Sequence, residues 1–330
     1  GWGAIKLTSG STGEPRGIAV GAGALAADDA QLAAAMGLEA GDRFLALVPL
    51  SHSYGFASLL LPALVRGSLL VVPEDRSPLA PLAAARALGA TVFPAVPAWL
   101  GAWVRLRSAP DWPASLRLVI SAGAPLPPET ARDFRLRTGR PVHVFYGASE
   151  CGGITYDAEG GAGERGTVGT PVPGVEVTLD ADSGRLEVRS AAVAETYLPE
   201  PAPELAGGRF RSADLGTFEG AEVRLLGRAD DLAIVRGKNV NPREVEAVLR
   251  ALPGVDDAFV VGVDGPDGPR SMLRAVIAAR AGGVDYPRVA AWCRERLAEH
   301  KVPRGVVVVA ELPRTERGKL DRVALAALAG

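Results

Sequence analysis

The chain has 330 residues, with 36 basic and 38 acidic side chains, a formal net charge of −2 and 48% hydrophobic residues. This length suggests about two domains and can bury a large core, while the composition argues against a disordered or fibrous chain. Near-neutral charge disfavours nucleic acid as a partner, and two cysteines (Cys151, Cys293) with three scattered histidines form neither a disulfide framework nor a recognisable metal cluster.

A reducing, cytoplasmic setting suits this cysteine usage. The longest apolar run, Phe56 to Val65, is ten residues and ends at Arg66, short of the ~20 a membrane span needs. Glycine and proline make up one residue in five, which implies short elements and many turns. All but four of the basic residues are arginine, and a surviving lysine (Lys6, Lys238, Lys301, Lys319) is therefore a candidate for work that arginine cannot do.

In chain order, Arg43–Val48, Ser68–Val72, Thr91–Phe93, Leu116–Ile120 and Val142–Tyr146 read as buried strands, being short, β-branched or aromatic, and bounded by Gly or Pro. Leu25–Met36, Ala57–Val65, Leu79–Leu88, Ala98–Leu106 and Pro128–Arg137 read as the helices between them. This alternation predicts an α/β fold whose large part carries a mostly parallel sheet covered on both faces, with ligands at the carboxyl ends of the strands. From 166 to 227 the pattern becomes antiparallel, with turns at Asp182-Ser183-Gly184 and Glu219-Gly220. After Gly227 a small α+β domain is predicted: strand Ala233–Val235, helix Pro242–Leu252 capped by Asn241, strands Ala258–Val263 and Leu273–Ala279, helix Pro287–His300, strand Val306–Val309 and a closing helix. Val289, Trp292, Cys293, Leu297 and His300 form one stripe of the second helix and read as core.

Four segments carry chemistry. Thr8-Ser9-Gly10-Ser11-Thr12-Gly13, with Arg16 close behind, concentrates hydroxyls and glycines that can close around an anion, although composition alone also allows a plain surface loop. Tyr146-Gly147-Ala148-Ser149-Glu150 places a hydroxyl beside a carboxylate at a strand's end, which suits Mg²⁺ carrying phosphate oxygens but could equally be an ordinary strand exit. Gly227-Arg228-Ala229-Asp230-Asp231, with Val235-Arg236-Gly237-Lys238-Asn239 after it, stands where the two parts join and reads locally as a solvated linker. Pro313 to Arg322, containing Lys319, reads in isolation as a basic turn.

Together, in this order, these segments resemble the adenylate-forming superfamily, of the AMP-dependent acyl-CoA synthetase type. Further matches are Pro49-Leu50-Ser51-His52-Ser53-Tyr54-Gly55, Ser121-Ala122-Gly123-Ala124-Pro125-Leu126, Gly166 to Pro171 and Arg211 to Gly216. The resemblance implies that ATP and a carboxylic acid give an acyl-adenylate and pyrophosphate, after which a thiol of coenzyme A or a carrier protein's phosphopantetheine takes the acyl group. By resemblance, Thr8, Ser9, Gly10, Ser11, Thr12, Gly13 and Arg16 hold the ATP phosphates, and Ser149 and Glu150 position Mg²⁺. Gly123, Ala124, Pro125, Tyr146 and Gly147 surround adenine, and Asp214 with Arg228 holds the ribose. Lys319 bridges the substrate carboxylate and the α-phosphate, and His52 lies near the acyl tunnel. The implied domains are 1–227, a hinge at 228–232 centred on Asp230, and a mobile C-terminal domain, 233–330.

Ser53-Tyr54-Gly55 offers no carboxylate for a substrate ammonium, so a fatty or aromatic acid without an α-amine is expected. Arg16 stands where the family usually has Lys, Ser149 replaces Thr, Ser212-Ala213-Asp214 replaces Thr-Gly-Asp, and Asn239 lies where many relatives have Arg. Few residues precede the phosphate loop. A naturally short member would need a second subunit or self-association to complete the acyl pocket, and a binding or partner module without turnover is the alternative reading. The small acid is the expected partner, with an acyl carrier protein as a further candidate and neither nucleic acid nor a membrane span.

Overall fold

The computed structural model describes residues 2–9, 15–75, 77, 79–106, 111–279, 284–315 and 320–330. The chain forms two compact units, Gly1–Ser212 with Gly216–Leu225, and Ala213–Leu215 with Leu226–Gly330.

The first unit is built on a seven-stranded sheet, in the order Leu69–Val71, Arg43–Leu45, Val92–Ala95, Leu118–Ser121, His143–Ala148, Gly152–Tyr156 and Thr170–Pro171. The first five strands are mutually parallel and the last two antiparallel. Consecutive side chains enter opposite cores. Phe44, Val92, Leu118 and Ile120 pack on one face with Leu25, Leu32 and Met36 of helix Ala22–Met36, while Leu45, Phe93 and Val119 pack on the other with Leu82, Leu100, Trp103 and Phe134. Burial on both faces is why these strands read as continuous apolar runs.

Two further sheets are antiparallel. Trp2–Ser9 pairs with Pro15–Gly21, which pairs with Thr196–Leu198. Val175–Leu179, Arg185–Ser190, Arg209–Glu219 and Leu205–Ala206 follow in order, with Glu222–Arg228 paired to Arg209–Glu219. The sequence reading placed the antiparallel region from 166 onward. It begins earlier, at Gly152, and a further antiparallel pair, Trp2–Ser9 with Pro15–Gly21, flanks residues 10–14.

In the second unit Val255–Gly265 pairs antiparallel with Gly268–Ala279, which pairs parallel with Gly305–Val309. Helices Pro242–Arg250 and Tyr286–Arg294 bury Val245, Leu249, Val289 and Cys293 against Val260, Ala275 and Ile277, and the closing helix Arg322–Ala329 covers Phe259, Val276 and Ala278. Cys293 is core, as its stripe implied. The helix read as far as His300 ends at Arg294, followed by a separate turn at Glu299–Lys301. Among the described residues no helix is long and apolar enough to cross a membrane.

Candidate active site

Strand His143–Ala148 pairs with its parallel neighbour only as far as Val144, so Tyr146, Gly147 and Ala148 run past the carboxyl edge of the parallel strands. The chain then reverses through a β-turn, closed by the Cys151 N–H donating to the Ala148 carbonyl at 3.3 Å, with Ser149 and Glu150 at its centre. The glycines here are sterically required. A Cβ at Gly147 would stand 2.5 Å from the Gly152 carbonyl oxygen, and Gly152 has φ +70° with its Cβ position 2.3 Å from the Asp28 carboxylate.

Other candidate residues leave the same edge. Gly123, Ala124 and Pro125 are exposed directly after strand Leu118–Ser121, with Gly123 in the left-handed region at φ +81°. His52 caps the short helix Ser53–Gly55, its Nδ1 accepting from the Tyr54 N–H at 3.2 Å. An imidazole that accepts at Nδ1 carries its proton on Nε2 when neutral. The helix continues through a π-helical turn, Phe56–Leu60, to Leu61–Arg66, and not as the single helix expected over 57–65. A Cβ at Gly55 would lie 2.1 Å from the Pro49 carbonyl oxygen, so only glycine lets the chain turn here.

Three contacts tie these segments together. The Ser53 and Ser149 hydroxyls are hydrogen-bonded. Lys6 Nζ donates to the Ser149 carbonyl at 3.5 Å. The Tyr197 hydroxyl donates to Glu150 Oε1 at 3.1 Å. Burial, reinforced by the Glu150 charge, pushes the Tyr197 phenol up, so it stays a neutral donor. Arg16 lies over the Tyr197 ring, 4.1 Å from its centroid, and donates to the Glu200 carbonyl at 3.3 Å. Thr8, half-buried, pairs in register with Arg16.

The sequence marks Lys6 only as one of four lysines in an arginine-rich chain, and gives Tyr197 and Asp28 no role. Tyr197 lies in a three-residue strand with no periodic signal. Asp28 had a signal: Leu25, Asp28, Asp29, Leu32 and Met36 follow helical spacing, which puts two carboxylates on the buried stripe. Burial pushes the Asp28 carboxyl up, against the Gly153 N–H and the Lys6 charge, which pull it down.

Ser149 and Glu150 suit Mg²⁺. This ion takes one or two protein carboxylates and fills its shell with water and nucleotide phosphate oxygens, so it needs no dedicated protein cage. Among the described residues no group of three His, Cys, Asp or Glu is placed to hold a metal by itself.

Asp214 and Arg228 belong to the second unit, where Arg228 Nη1 stands 3.4 Å from Asp214 Oδ1 and Arg228 also binds Asp230 at 2.6 Å. Burial works to raise the Asp230 carboxyl, but the Arg228 hydrogen bonds and charge prevail and hold it low. Gly10, Ser11, Thr12, Gly13 and Lys319 lie outside the described residues, and of Ser9 only the strand position is described. On either side of 316–319 the chain is pinned by the bridge between Arg314 and Leu320 and by the Asp321 N–H donating to the Pro313 carbonyl at 2.9 Å.

Comparison with known proteins supplies the family. Residues 4–198 match the AMP-binding enzyme family and residues 244–319 the AMP-binding enzyme C-terminal domain. Feruloyl-CoA synthase of Amycolatopsis sp is 30% identical over 334 residues, covering 96% of this chain and 67% of the relative. ATP-bound MatB from Rhodopseudomonas palustris superposes with a TM-score of 0.87 at 29% identity, over 99% of this chain and 68% of that one. O-Succinylbenzoate CoA synthetase from Bacillus subtilis, in complex with its acyl-adenylate intermediate, gives a TM-score of 0.83 at 27% identity, over 97% and 68%. The chain thus spans about two thirds of the length of these relatives. It belongs to the AMP-binding enzyme family, as an acyl-CoA synthetase-like ligase of the adenylate-forming superfamily.

Proposed function

We propose that the chain activates a carboxylic acid with ATP and passes the acyl group to the thiol of coenzyme A. A carboxylate oxygen attacks the α-phosphorus and pyrophosphate departs, giving an acyl-adenylate; the thiolate sulfur then attacks the acyl carbon and AMP departs. The observation that carries this reading is the Ser149–Glu150 turn at the carboxyl edge of the parallel strands, joined to the His52 segment through Ser53 and to the strand before the phosphate loop through Lys6.

The proposed roles follow the chemistry of these side chains. Thr8, Ser9, the residues 10–13 and Arg16 hold the β- and γ-phosphates. Ser149 and Glu150 hold Mg²⁺, which when bound neutralises phosphate charge. Gly123 to Pro125 with Tyr146 and Gly147 receive adenine, and Asp214 accepts from the ribose hydroxyls beside Arg228. Lys319 places a cation against the charge that builds on the five-coordinate phosphorus. A swing of the C-terminal part about Asp230 then withdraws Lys319 and brings up the Gly237 stretch for the thiol step.

His52 lies by the acyl group. The segment 52–55 contains no carboxylate to pair with an ammonium, which favours an acid without an α-amine, aromatic or fatty. The CoA synthase and CoA synthetase relatives support coenzyme A over a carrier protein as acceptor. The test is pyrophosphate release from ATP, with and without Mg²⁺, across a panel of aromatic, fatty, dicarboxylic and α-amino acids. Release with an aromatic or fatty acid is expected; release with α-amino acids alone would overturn the substrate assignment, and no release with any acid would overturn the activity.

A further inference from the structure

One ammonium is buried where the segments of the proposed site meet. Strand Trp2–Ser9 alternates, so Leu7 is 73% exposed while Lys6, on the same side of the strand as Thr8, is only 9% exposed. Lys6 Nζ is 3.5 Å from the Ser149 carbonyl, to which it donates, and 5.6 Å from the centroid of the Phe56 ring in the π-helical turn after His52. Asp28, buried in helix Ala22–Met36, meets the other end of the same hairpin turn. Its Oδ1 accepts from the Gly153 N–H at 2.9 Å, and its Oδ2 has no hydrogen-bond partner among the described residues.

A lone buried charge is strongly unfavourable, whereas two of opposite sign offset each other. Lys6 and Asp28 stand at the two ends of the Ser149–Gly153 turn, where the Lys6 charge works against the burial that raises the Asp28 carboxyl, and the proposed reaction uses neither. Lys6 is also a lysine in a chain whose basic residues are almost all arginine. A compact ammonium on a flexible stem can reach a single carbonyl in a confined site, where a planar guanidinium fork would need more acceptors.

We propose that Lys6 and Asp28 are positioning residues that clamp the Ser149–Glu150 turn from its two ends, fixing its hydroxyl and carboxylate in the orientation that receives Mg²⁺ with the nucleotide. This inference rests on the reading that the turn takes Mg²⁺·ATP. Partners that orient metal ligands commonly change metal affinity 10- to 100-fold when removed.

The test uses the 330-residue chain, titrated calorimetrically with ATP in the presence and in the absence of Mg²⁺, alongside its melting temperature. Lys6→Met removes the charge at similar size, and Lys6→Met/Asp28→Asn removes both charges while keeping an acceptor for the Gly153 N–H. Both variants are expected to bind Mg²⁺·ATP about tenfold more weakly, with metal-free ATP changed less than about twofold. The double variant is expected to recover most of the melting temperature that Lys6→Met loses. If the double variant binds Mg²⁺·ATP as wild type does, or if both forms of ATP weaken equally, the pair is structural only and the clamp is refuted. A wild-type chain that binds no Mg²⁺·ATP would instead refute the reading beneath it.

Discussion

The Tyr197 hydroxyl donates to Glu150 Oε1 at 3.1 Å, and the guanidinium of Arg16 covers the other side of that relation by lying 4.1 Å from the Tyr197 ring centroid. The carboxylate assigned to Mg²⁺ is thus oriented by a neutral donor, which is in turn held by the basic residue that closes the phosphate-loop segment. Tyr197→Phe keeps the ring and the stacking and removes only the donor. Removing the partner that orients a metal ligand commonly lowers metal affinity about 10- to 100-fold. Half-saturation by Mg²⁺ in pyrophosphate release is therefore expected to rise by roughly an order of magnitude at little change in melting temperature, and unchanged Mg²⁺ dependence would remove Tyr197 from the site.

The turns that aim the site depend on the absence of a Cβ. Gly55→Ala and Gly147→Ala each drive a methyl into a backbone carbonyl, at 2.1 and 2.5 Å. Each is expected to lower the urea-unfolding free energy by about 1–3 kcal/mol. Gly41→Ala, with nothing among the described residues within 4 Å of the new atom, is the control and is expected to stay within about 0.5 kcal/mol.

Asp42 fixes the opposite edge of the parallel strands. It accepts from Arg117 Nε at 2.8 Å, from the Thr91 hydroxyl at 2.7 Å and from the Glu39 N–H at 2.8 Å. Burial would raise this carboxyl, but the Arg117 hydrogen bonds and the other donors prevail and hold it below its ordinary 3.8. A carboxyl lowered in the folded state contributes stability above its unfolded pKa and loses it as pH falls through the folded value. The stability difference between wild type and Asp42→Asn is therefore expected to be full at pH 6 and to shrink below pH 3.8. A difference constant from pH 6 to pH 2 would mean that the charge contributes nothing.

Arg236 has φ +51° in the tight turn between Ala233–Val235 and Lys238–Val240, next to Gly237 at +72°. Hairpin turns with two left-handed residues favour asparagine at the first. Arg236→Asn is expected to raise stability by about 0.5–1 kcal/mol. Its ion pair with Glu299 is exposed on both sides and does not alter that expectation. Chemical denaturation decides it, and a destabilised variant would show that the arginine is held there by more than turn geometry.

The inner parallel strands were legible because they are buried on both faces, so apolar runs such as Leu118-Val119-Ile120 announce themselves without periodicity. The motif residues Gly123 and Tyr146 to Glu150 could be placed for the same reason: they lie at or just beyond the carboxyl ends of such strands. Gly152–Tyr156 escaped notice because two of its five residues are glycines, selected for close approach to Asp28 and Leu32 and not for strand propensity. The π-helical turn after His52 was hidden inside an apolar run that fits an ordinary helix equally well. Tyr197 was illegible because its partner Glu150 is 47 residues away and the link is one tertiary hydrogen bond.

The central claim is that a cation supplied by Lys319 stabilises the transfer of the α-phosphorus from pyrophosphate to the acid. Removing one preorganised electrostatic group of this kind typically lowers turnover by about 10²–10³-fold. The direct measurement compares acid-dependent pyrophosphate release and Mg²⁺·ATP affinity in wild type and Lys319→Ala. A loss of release on that scale with ATP affinity preserved is the expected result; release at the wild-type rate would contradict the account.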